Sequence, residues 1–407
     1  MKIDSRMTAI FVVAFLNLIG FGVIIPLLPY YAETFGAHPT QVGFLVASYA
    51  GAQLIGAPLI GRFSDKFGRR PALMYSIAGS VLGYIIFANA SSLSLLFFSR
   101  IVSGFMSGNI SVAQAYIADI TDEKDRAKGL GLIAAAFGLG FITGPALGGA
   151  LSVWGYGAPA YAAGVLNLAS LFAVYHWLPE TLTVEDRENH SANQKPPISF
   201  SALSDALTRP LVGTLLQTRF LFSLSFAMFT TVFALFAQYR LSLNAQSTGY
   251  ILAYVGLLIV IVQAFAIGAL TSRITEGRLL FSSMVLMGFS LLFWAFTYTV
   301  PVLLIVLIPL ALSSGVFNTV INSSLSIAVS KKEIGGILGI SASLDSLTRV
   351  IAPSAGGYVL EQYGASAPGI VSALLLILLI PLAWKRFISS PHPALNSSQK
   401  TRNNQGR

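Results

Sequence analysis

The chain has 407 residues, of which 55% are hydrophobic and only 10% are charged, and its mean hydropathy is +0.73. Soluble domains carry about 25% charged residues, so a soluble globular fold is excluded because it cannot cover this much apolar surface. The formal net charge is +9, but the basic residues lie in loops between apolar runs, which argues against a nucleic-acid partner. The absence of cysteine excludes disulfides and thiolate metal sites.

The first predicted element is the apolar run between Met7 and Ala32, which contains no charged side chain. A helix needs about 20 apolar residues to cross a hydrocarbon layer of roughly 30 Å. Similar runs follow, and none has the alternating pattern of a barrel strand. The predicted membrane helices are residues 8–31, 41–62, 71–90, 93–117, 129–152, 158–179, 212–238, 246–270, 279–299, 301–328, 335–358 and 366–386. The predicted fold is therefore all-α, with twelve transmembrane helices.

Basic residues mark alternate loops of this arrangement. If the N-terminus is inside, the inside loops hold Arg62, Lys66, Arg69, Arg70, Lys124, Arg126, Lys128, Arg187, Lys195, Arg209, Arg273, Arg278, Lys331 and Lys332, and the outside loops hold Arg240. Positively charged loops remain in the cytoplasm. The sequence therefore predicts a multi-pass protein of the plasma (inner) membrane with both termini cytoplasmic.

A polar segment rich in Glu, Asp, Asn, Lys, Ser and Pro divides the chain into six and six spans. The predicted domains are an N-terminal six-helix bundle over 1–190, a cytoplasmic linker over 191–210, a C-terminal six-helix bundle over 211–388 and a disordered cytoplasmic tail over 389–407. The halves are related by a repeat: Gly131, Pro145, Gly148 and Gly149 recur 208 positions later as Gly339, Pro353, Gly356 and Gly357, and Gly61 recurs 207 positions later as Gly268. This predicts a duplicated six-helix unit, the architecture of carriers with a midplane site between two halves.

The loop after the second span runs from Gly61 to Leu73 and has the sequence GRFSDKFGRRPAL. It resembles the signature loop of the major facilitator superfamily, with Phe63 in place of the usual leucine. The resemblance implies the major facilitator fold, with two pseudo-symmetric six-helix bundles, and a conformational latch. The latch residues it implies are Gly61, Asp65, Gly68, Arg69, Arg70 and, at the end of the fourth span, Asp119. The second copy of the loop, residues 268–278, has lost its aspartate.

Two further motifs strengthen the resemblance. In the fourth span, the segment from Arg100 to Gly108 resembles the family pattern R-x-x-x-G-x-x-x-G, and a coupling role for Arg100 stands beside a purely structural one. The fifth span resembles the motif of antiporter branches, in which glycines allow close helix packing and a proline bends the helix. Its motif residues are Gly140, Gly144, Pro145, Gly148 and Gly149.

The first span, from Asn17 to Pro29, resembles the tetracycline-efflux branch of drug:proton antiporters. Tetracycline exporters have an aspartate at the position of Asn17, so a specificity for metal-chelated tetracycline does not carry over. Asp345, in the eleventh span, is the one acidic residue well inside a predicted span, and Arg349 follows one turn later. We predict that Asp345 binds the coupled proton as Arg349 changes partner; the alternative is a permanent structural ion pair.

Helical spacing places aromatic and amide side chains on faces suited to a substrate cavity. The candidates are Phe15, Asn17, Phe21, Tyr49, Gln53, Asn109, Gln114, Arg219, Phe226, Phe229, Asn318 and Asn322, for each of which simple helix packing is the alternative. Large apolar walls with few amides suit bulky amphipathic compounds. Because arginines outnumber carboxylates in the membrane region, a neutral, zwitterionic or anionic substrate is favoured over a dication.

These features predict a secondary active transporter that exports small amphipathic compounds in exchange for protons by alternating access. We expect it to act as a monomer without cofactor or metal. An importer, a lipid or metabolite carrier of the same fold, and a non-transporting membrane receptor are the alternatives. An enzyme is not expected, because the sequence has no H-E-x-x-H, G-x-S-x-G or phosphate-loop motif.

Overall fold

The computed structural model describes residues 5–183, 185, 187, 200–330 and 333–389, and within these ranges the regular elements are all helices. Twelve helices are long and apolar enough to cross a membrane, and they are called spans 1 to 12 below. The spans are Ser5–Ile24, Pro39–Phe67, Arg69–Ala88, Leu93–Ile120, Lys128–Trp154, Gly157–Trp177, Pro210–Leu241, Ala245–Arg273, Glu276–Ala295, Val300–Ile327, Ile334–Tyr363 and Ala367–Ser389. Each coincides with one predicted span, so the predicted all-α fold with twelve spans is confirmed.

Span 1 is shorter than the apolar run that predicts it. The helix ends at Ile24, and a short helix, Leu28–Glu33, follows it. Pro26 and Pro29 lack the amide hydrogens that a continuous helix would need, so the charge-free segment is broken in two.

Four spans contain irregular or non-α segments. Span 4 consists of Leu93–Phe105 and Asn109–Ile120, and span 5 belongs to the helix Glu123–Leu151 followed by the 3₁₀ turn Ser152–Trp154. Span 8 consists of Ala245–Ile261, the π-helical turn Val262–Ala266 and Ile267–Arg273, and span 12 of Ala367–Ile377, Ile380–Ala383 and the π-helical turn Trp384–Ser389. Such interruptions are tolerated at membrane depth where neighbouring helices cover the backbone.

The chain forms two compact units, Met1–Pro197 with Leu243–Gly256, and Ile198–Ser242 with Leu257–Arg407. The predicted halves differ from these units in one segment, because the first part of span 8 belongs to the first unit. Gly249 explains this assignment, since an added Cβ there would lie only 2.9 Å from Gly149 Cα. The predicted linker lies outside the described residues except for its end, which contains the helix Phe200–Thr208, and the predicted tail lies outside them beyond residue 389.

The same helix pairs recur within each unit. In the first unit span 1 packs against spans 5 and 6, and span 3 packs against spans 4 and 6. In the second unit span 7 packs against spans 11 and 12, and span 9 packs against spans 10 and 12. Each pair in one unit corresponds to a pair six spans later in the other, as a duplicated six-helix unit requires.

Aromatic side chains fill much of the core of the second unit. The rings of Phe222 and Phe317 stack with centroids 3.7 Å apart, and the buried Trp294 meets Phe229 edge-on at 4.9 Å. In the first unit, one core cluster consists mainly of aliphatic side chains around the fully buried Tyr116. Burial of such rings is a large apolar contribution to packing.

Candidate functional site

Three charged residues meet where spans 2, 3 and 4 end or begin, and they are called the latch cluster below: Asp65, Arg69 and Asp119. Arg69 is buried; its Nη1 donates to Asp65 Oδ1 at 2.6 Å and its Nε donates to Asp119 Oδ2 at 2.9 Å. A further hydrogen bond from Nη1 reaches Ser64 Oγ at 3.1 Å. The structure thus brings together three of the four charged residues assigned to the latch, and their role in a conformational change stays a prediction.

Glu180, just beyond span 6, anchors the start of span 3 and was not predicted as a site residue. Its Oε1 accepts the backbone N–H of Arg69 at 2.9 Å, and its Oε2 accepts that of Arg70 at 3.1 Å. Carboxylates stabilise helix N-termini because the first amides there have no partner within the helix. Thr181 adds a second link, since its hydroxyl donates to Asp119 Oδ2 at 3.1 Å. Span 6 is thereby joined to the latch cluster.

The other predicted latch residues have different surroundings. Arg70 Nη2 donates to the backbone carbonyl oxygen of Tyr175, and the Arg70 guanidinium carbon lies 5.3 Å from the centre of the Tyr175 ring. Gly68 has a φ of 110°, in the region that favours glycine, and it lies directly under the Glu180 carboxylate. A Cβ on Gly61 would meet no heavy atom within 4 Å.

Replacing Gly68 by alanine is expected to destabilise the first unit by roughly 2 kcal/mol, because an L-residue is strained at this φ and the new Cβ would overlap the Glu180 carboxylate. The midpoint of thermal unfolding in detergent measures the loss. Gly61→Ala is the matched control, since its Cβ has open space. Equal midpoints for the two variants would contradict this account of the turn.

Three glycines of the predicted antiporter motif form a line of close contacts between spans 5 and 1, called the glycine seam below, whereas Gly149 faces Gln246 and Gly249 of span 8. An added Cβ would lie 2.7 Å from Leu18 Cβ at Gly140 and 2.7 Å from Gly22 Cα at Gly144, and at Gly148 it would overlap the backbone carbonyl of Val23. Real Cβ atoms do not approach this closely, so only glycine allows this helix contact. The equivalent Gly356 in span 11 faces Met228 and Val232 of span 7.

An ion pair lies inside the second unit, between Arg219 of span 7 and Asp345 of span 11. Arg219 Nε donates to Asp345 Oδ1 at 2.9 Å, and Nη2 donates to Oδ2. Asp345 lies about 16 Å along its helix from Ile334, and the side chains are only 10% and 22% exposed. Among the described ion pairs, this is the one with both partners well inside spans.

Two polar side chains complete this pair. Ser223, one turn after Arg219, donates its hydroxyl to Asp345 Oδ1 at 2.7 Å. Asn322 of span 10 has its Oδ1 3.5 Å from Arg219 Nη1.

Outside the membrane-spanning part, a second ion pair joins the beginnings of spans 7 and 11, with Arg209 Nη1 2.8 Å from Glu333 Oε1. Hydrogen bonds from Ser330 and from this guanidinium lower the pKa of the Glu333 carboxyl.

In this structure Asp345 pairs with Arg219 rather than with Arg349, and the predicted change of partner by Arg349 stays a prediction. Arg349 is exposed and makes no ion pair with a described residue, whereas Arg219 holds the carboxylate. Residues four apart on one helix are neighbours, but a partner on an adjacent helix approaches head-on and offers two N–H groups to two oxygens. Arg219, predicted only as a minor cavity residue, is therefore the partner that matters, and Asp345 as the proton site stays a prediction.

Arg100 lies apart from both clusters. It is 4% exposed in span 4, and its Nε donates to none of the described residues. Its guanidinium carbon lies 4.8 Å from the ring centre of Phe87 and 5.8 Å from that of Tyr49. It makes no ion pair with any described carboxylate, so its predicted part in proton coupling has no acidic partner in this arrangement.

Residues 10–274 and 218–406 match the family described as the Major Facilitator Superfamily, which together is well over half of the chain. This chain belongs to the Major Facilitator Superfamily. The predicted family is thus confirmed, as are its fold and the function of a membrane transporter. The twelve apolar helices and the superfamily together identify a multi-pass membrane protein.

Relatives within the superfamily match along most of their length. The class C tetracycline resistance protein of Escherichia coli is 31% identical over 413 residues, covering 96% of this chain and 100% of that protein. Solute carrier family 22 member 18 of Rattus norvegicus is 31% identical over 371 residues, covering 89% of each. The crystal structure of the human organic anion transporter MFSD10 (TETRAN) matches with a TM-score of 0.68 and 25% identity, covering 94% of this chain and 100% of that one.

Asn17 of span 1 is a buried structural amide in this member of the superfamily. Its Nδ2 donates to Ser170 Oγ at 2.7 Å and to the carbonyl oxygen of Val13 at 2.8 Å. Its Oδ1 accepts from Asn109 Nδ2 at 2.6 Å. These bonds satisfy the amide within the first unit, so the predicted cavity residues Asn17 and Asn109 occupy the helix-packing role given as their alternative.

The remaining predicted cavity residues differ in exposure. Phe229 is fully buried against Trp294, which corrects its assignment to a cavity wall, because an aromatic side chain packed edge-on in the core contacts other protein side chains. Phe15, Phe21, Tyr49, Gln53, Phe226 and Asn318 are partly buried, and Gln114 and Asn322 are exposed. Their contact with substrate stays a prediction.

The sequence reasoning missed Glu180, Thr181 and Ser223. A signal existed for two of them: Glu180 is an acidic residue directly after an apolar span, and Ser223 lies one helical turn from a membrane arginine. Glu276, the first residue of span 9, was also missed; it is buried and accepts hydroxyl bonds from Ser323 at 2.9 Å and Ser324 at 2.8 Å.

Proposed function

We propose that this chain is a proton-coupled exporter of small amphipathic compounds that works as an antiporter by alternating access. The observation on which the proton-coupled part depends is the ion pair between Arg219 and Asp345, a titratable group inside the membrane-spanning part of a transporter. The export direction is supported by the relatives, since one is named a tetracycline resistance protein.

The pair offers two states that differ by one proton. With Asp345 ionised, the bidentate contact with Arg219 and the hydroxyl bond from Ser223 hold span 7 against span 11. A proton on Asp345 removes the negative charge, and the contact between the two helices weakens. A substrate that binds one of these states better than the other is then coupled to the proton by linkage.

The glycine seam supports exchange as the mode of coupling, since the motif resembles that of antiporter branches. Span 1 has the hydrogen-bonded amide of Asn17 where the resemblance to tetracycline exporters would place a carboxylate. Asp345 is therefore proposed as the proton-binding residue. We therefore propose a substrate other than metal-chelated tetracycline. Phe21, Tyr49 and Phe226 are proposed to contact it as partly exposed aromatic side chains.

The location and assembly are also proposals. The excess of basic residues in alternate loops supports a plasma (inner) membrane protein with both termini in the cytoplasm. One chain contains both copies of the repeat, so the proposed cycle requires only a monomer and no cofactor.

The test is flux in proteoliposomes under an imposed pH gradient, with a panel of labelled amphipathic compounds that are neutral, zwitterionic, anionic or dicationic. We expect at least one neutral, zwitterionic or anionic compound to accumulate in the acidic compartment, against its own concentration gradient. This accumulation should vanish when an ionophore collapses the pH gradient. Accumulation that is unaffected by the ionophore, or transport in the same direction as the proton, would overturn the antiport proposal.

A further inference from the structure

The first unit contains a buried cation for which the described residues supply no anion. Arg100 lies seven residues inside span 4, and its only described hydrogen bond, to Ser103 Oγ, is long at 3.5 Å. Its Nε donates to nothing, although the side chain is 4% exposed. An unpaired guanidinium in a membrane-spanning helix is costly, so such a residue is expected to face a partner in part of the working cycle.

Three carboxylates of this unit are engaged elsewhere. Asp65 and Asp119 bind Arg69, and Glu180 accepts backbone amides at the start of span 3. At position 17, span 1 contributes the hydrogen-bonded amide of Asn17 rather than a carboxylate. Since no described carboxylate forms an ion pair with Arg100, a bound molecule is the candidate anion.

Two aromatic rings lie beside the Arg100 guanidinium, and a third ring packs against one of them. Phe87 and Tyr49 place their rings 4.8 Å and 5.8 Å from the guanidinium carbon, and the Tyr49 ring meets Phe21 with centroids 5.4 Å apart. Cation–π contacts stabilise the charge, but they satisfy few of its five N–H donors. Tyr49 and Phe21 are both partly exposed, so an apolar surface leads from a donor-rich cation toward the outside of the unit.

We propose that Arg100, Tyr49 and Phe21 form a substrate subsite for an amphipathic organic monoanion, such as the carboxylate of an aromatic acid. Arg100 binds the two carboxylate oxygens through parallel N–H donors, and the two rings contact the apolar body. The inference rests on the proposed function in one respect, since it names the class of compound that the transporter carries. A cationic compound would instead meet a like charge at this position.

The test measures equilibrium binding to the purified full chain in detergent, with 1-naphthoate and its neutral counterpart 1-naphthamide as probes. We expect 1-naphthoate to bind the wild type at least ten times more tightly than 1-naphthamide. Arg100→Gln should weaken 1-naphthoate at least tenfold and leave 1-naphthamide within a factor of two, because only the anion uses the guanidinium. Arg278→Gln, which removes an exposed arginine at the start of span 9, is the matched control and should bind as the wild type does.

Two further variants keep the result interpretable if Arg100→Gln does not fold. Arg100→Lys retains the charge but not the paired donors, and it should weaken 1-naphthoate severalfold. Tyr49→Leu should weaken both probes equally, since the ring contacts the body that they share. Equal affinity of the wild type for the two probes, or unchanged 1-naphthoate binding in Arg100→Lys and Arg100→Gln, would overturn the subsite.

No pH gradient is needed for this binding measurement. A chain that fails the flux test but binds 1-naphthoate through Arg100 would disprove the antiport proposal and leave the anion subsite intact. If the chain exports neutral compounds in exchange for protons but does not bind 1-naphthoate, the antiport proposal stands and the anion subsite is disproved.

Discussion

Replacing Gly144 by valine is expected to destabilise the first unit by about 3 kcal/mol or more, enough to prevent accumulation of folded protein at growth temperature. An added Cβ there would lie 2.7 Å from Gly22 Cα and 3.0 Å from the carbonyl oxygen of Ile19. Both neighbours are backbone atoms of span 1, which cannot rotate away as a side chain can. The helices would have to separate along the whole glycine seam.

Span 5 itself provides the matched control. Gly131 lies in the same helix, is exposed, and would have no heavy atom within 4 Å of an added Cβ. Gly131→Val should therefore keep the yield and the thermal unfolding midpoint in detergent close to wild type. A Gly144→Val protein as stable as Gly131→Val would mean that the seam does not hold spans 1 and 5 together.

Much of this architecture was predictable from local pattern. The positions of the twelve spans follow from hydropathy, because a helix in lipid must be long and apolar enough to cross the hydrocarbon layer. The seam was predictable from the spacing of Gly140, Gly144 and Gly148, which places all three on one helix face. Asp65 and Arg69 lie in different helices, because span 2 ends at Phe67 and span 3 begins at Arg69, so their contact depends on the turn at Gly68.

The sequence could not assign the partner of Asp345. Arg349 is one helical turn away, but Arg219, 126 positions distant, lies opposite Asp345 on a neighbouring helix. Which side chains face each other across two helices depends on how each helix is rotated about its axis, and hydropathy constrains this rotation weakly when a helix is apolar all round.

The second large effect is expected from Asp345→Asn, which should abolish uphill transport. Asparagine is nearly isosteric with aspartate but cannot bind and release a proton, so a cycle that moves a proton through this position stops. The fold should survive, because Ser223 and Arg219 can still donate to the amide oxygen. Asp205→Asn is the matched control, since Asp205 is an exposed carboxylate in the helix before span 7.

The two arginines near Asp345 should respond differently. Arg219→Gln removes the described ion-pair partner of Asp345 and should abolish coupling, whereas Arg349→Gln should leave it nearly unchanged, because Arg349 is exposed and makes no ion pair with a described residue. If Arg349→Gln abolished pH-driven accumulation and Arg219→Gln did not, the result would favour the pairing of Asp345 with Arg349 that the sequence predicts.

The most direct test of proton coupling through Asp345 compares two fluxes of one labelled substrate in proteoliposomes that contain Asp345→Asn. One flux is accumulation driven by a pH gradient, and the other is exchange of labelled for unlabelled substrate at equal concentrations, which moves no net proton. We predict that accumulation falls to the equilibrium level while exchange persists. Accumulation equal to that of the wild type would contradict the account.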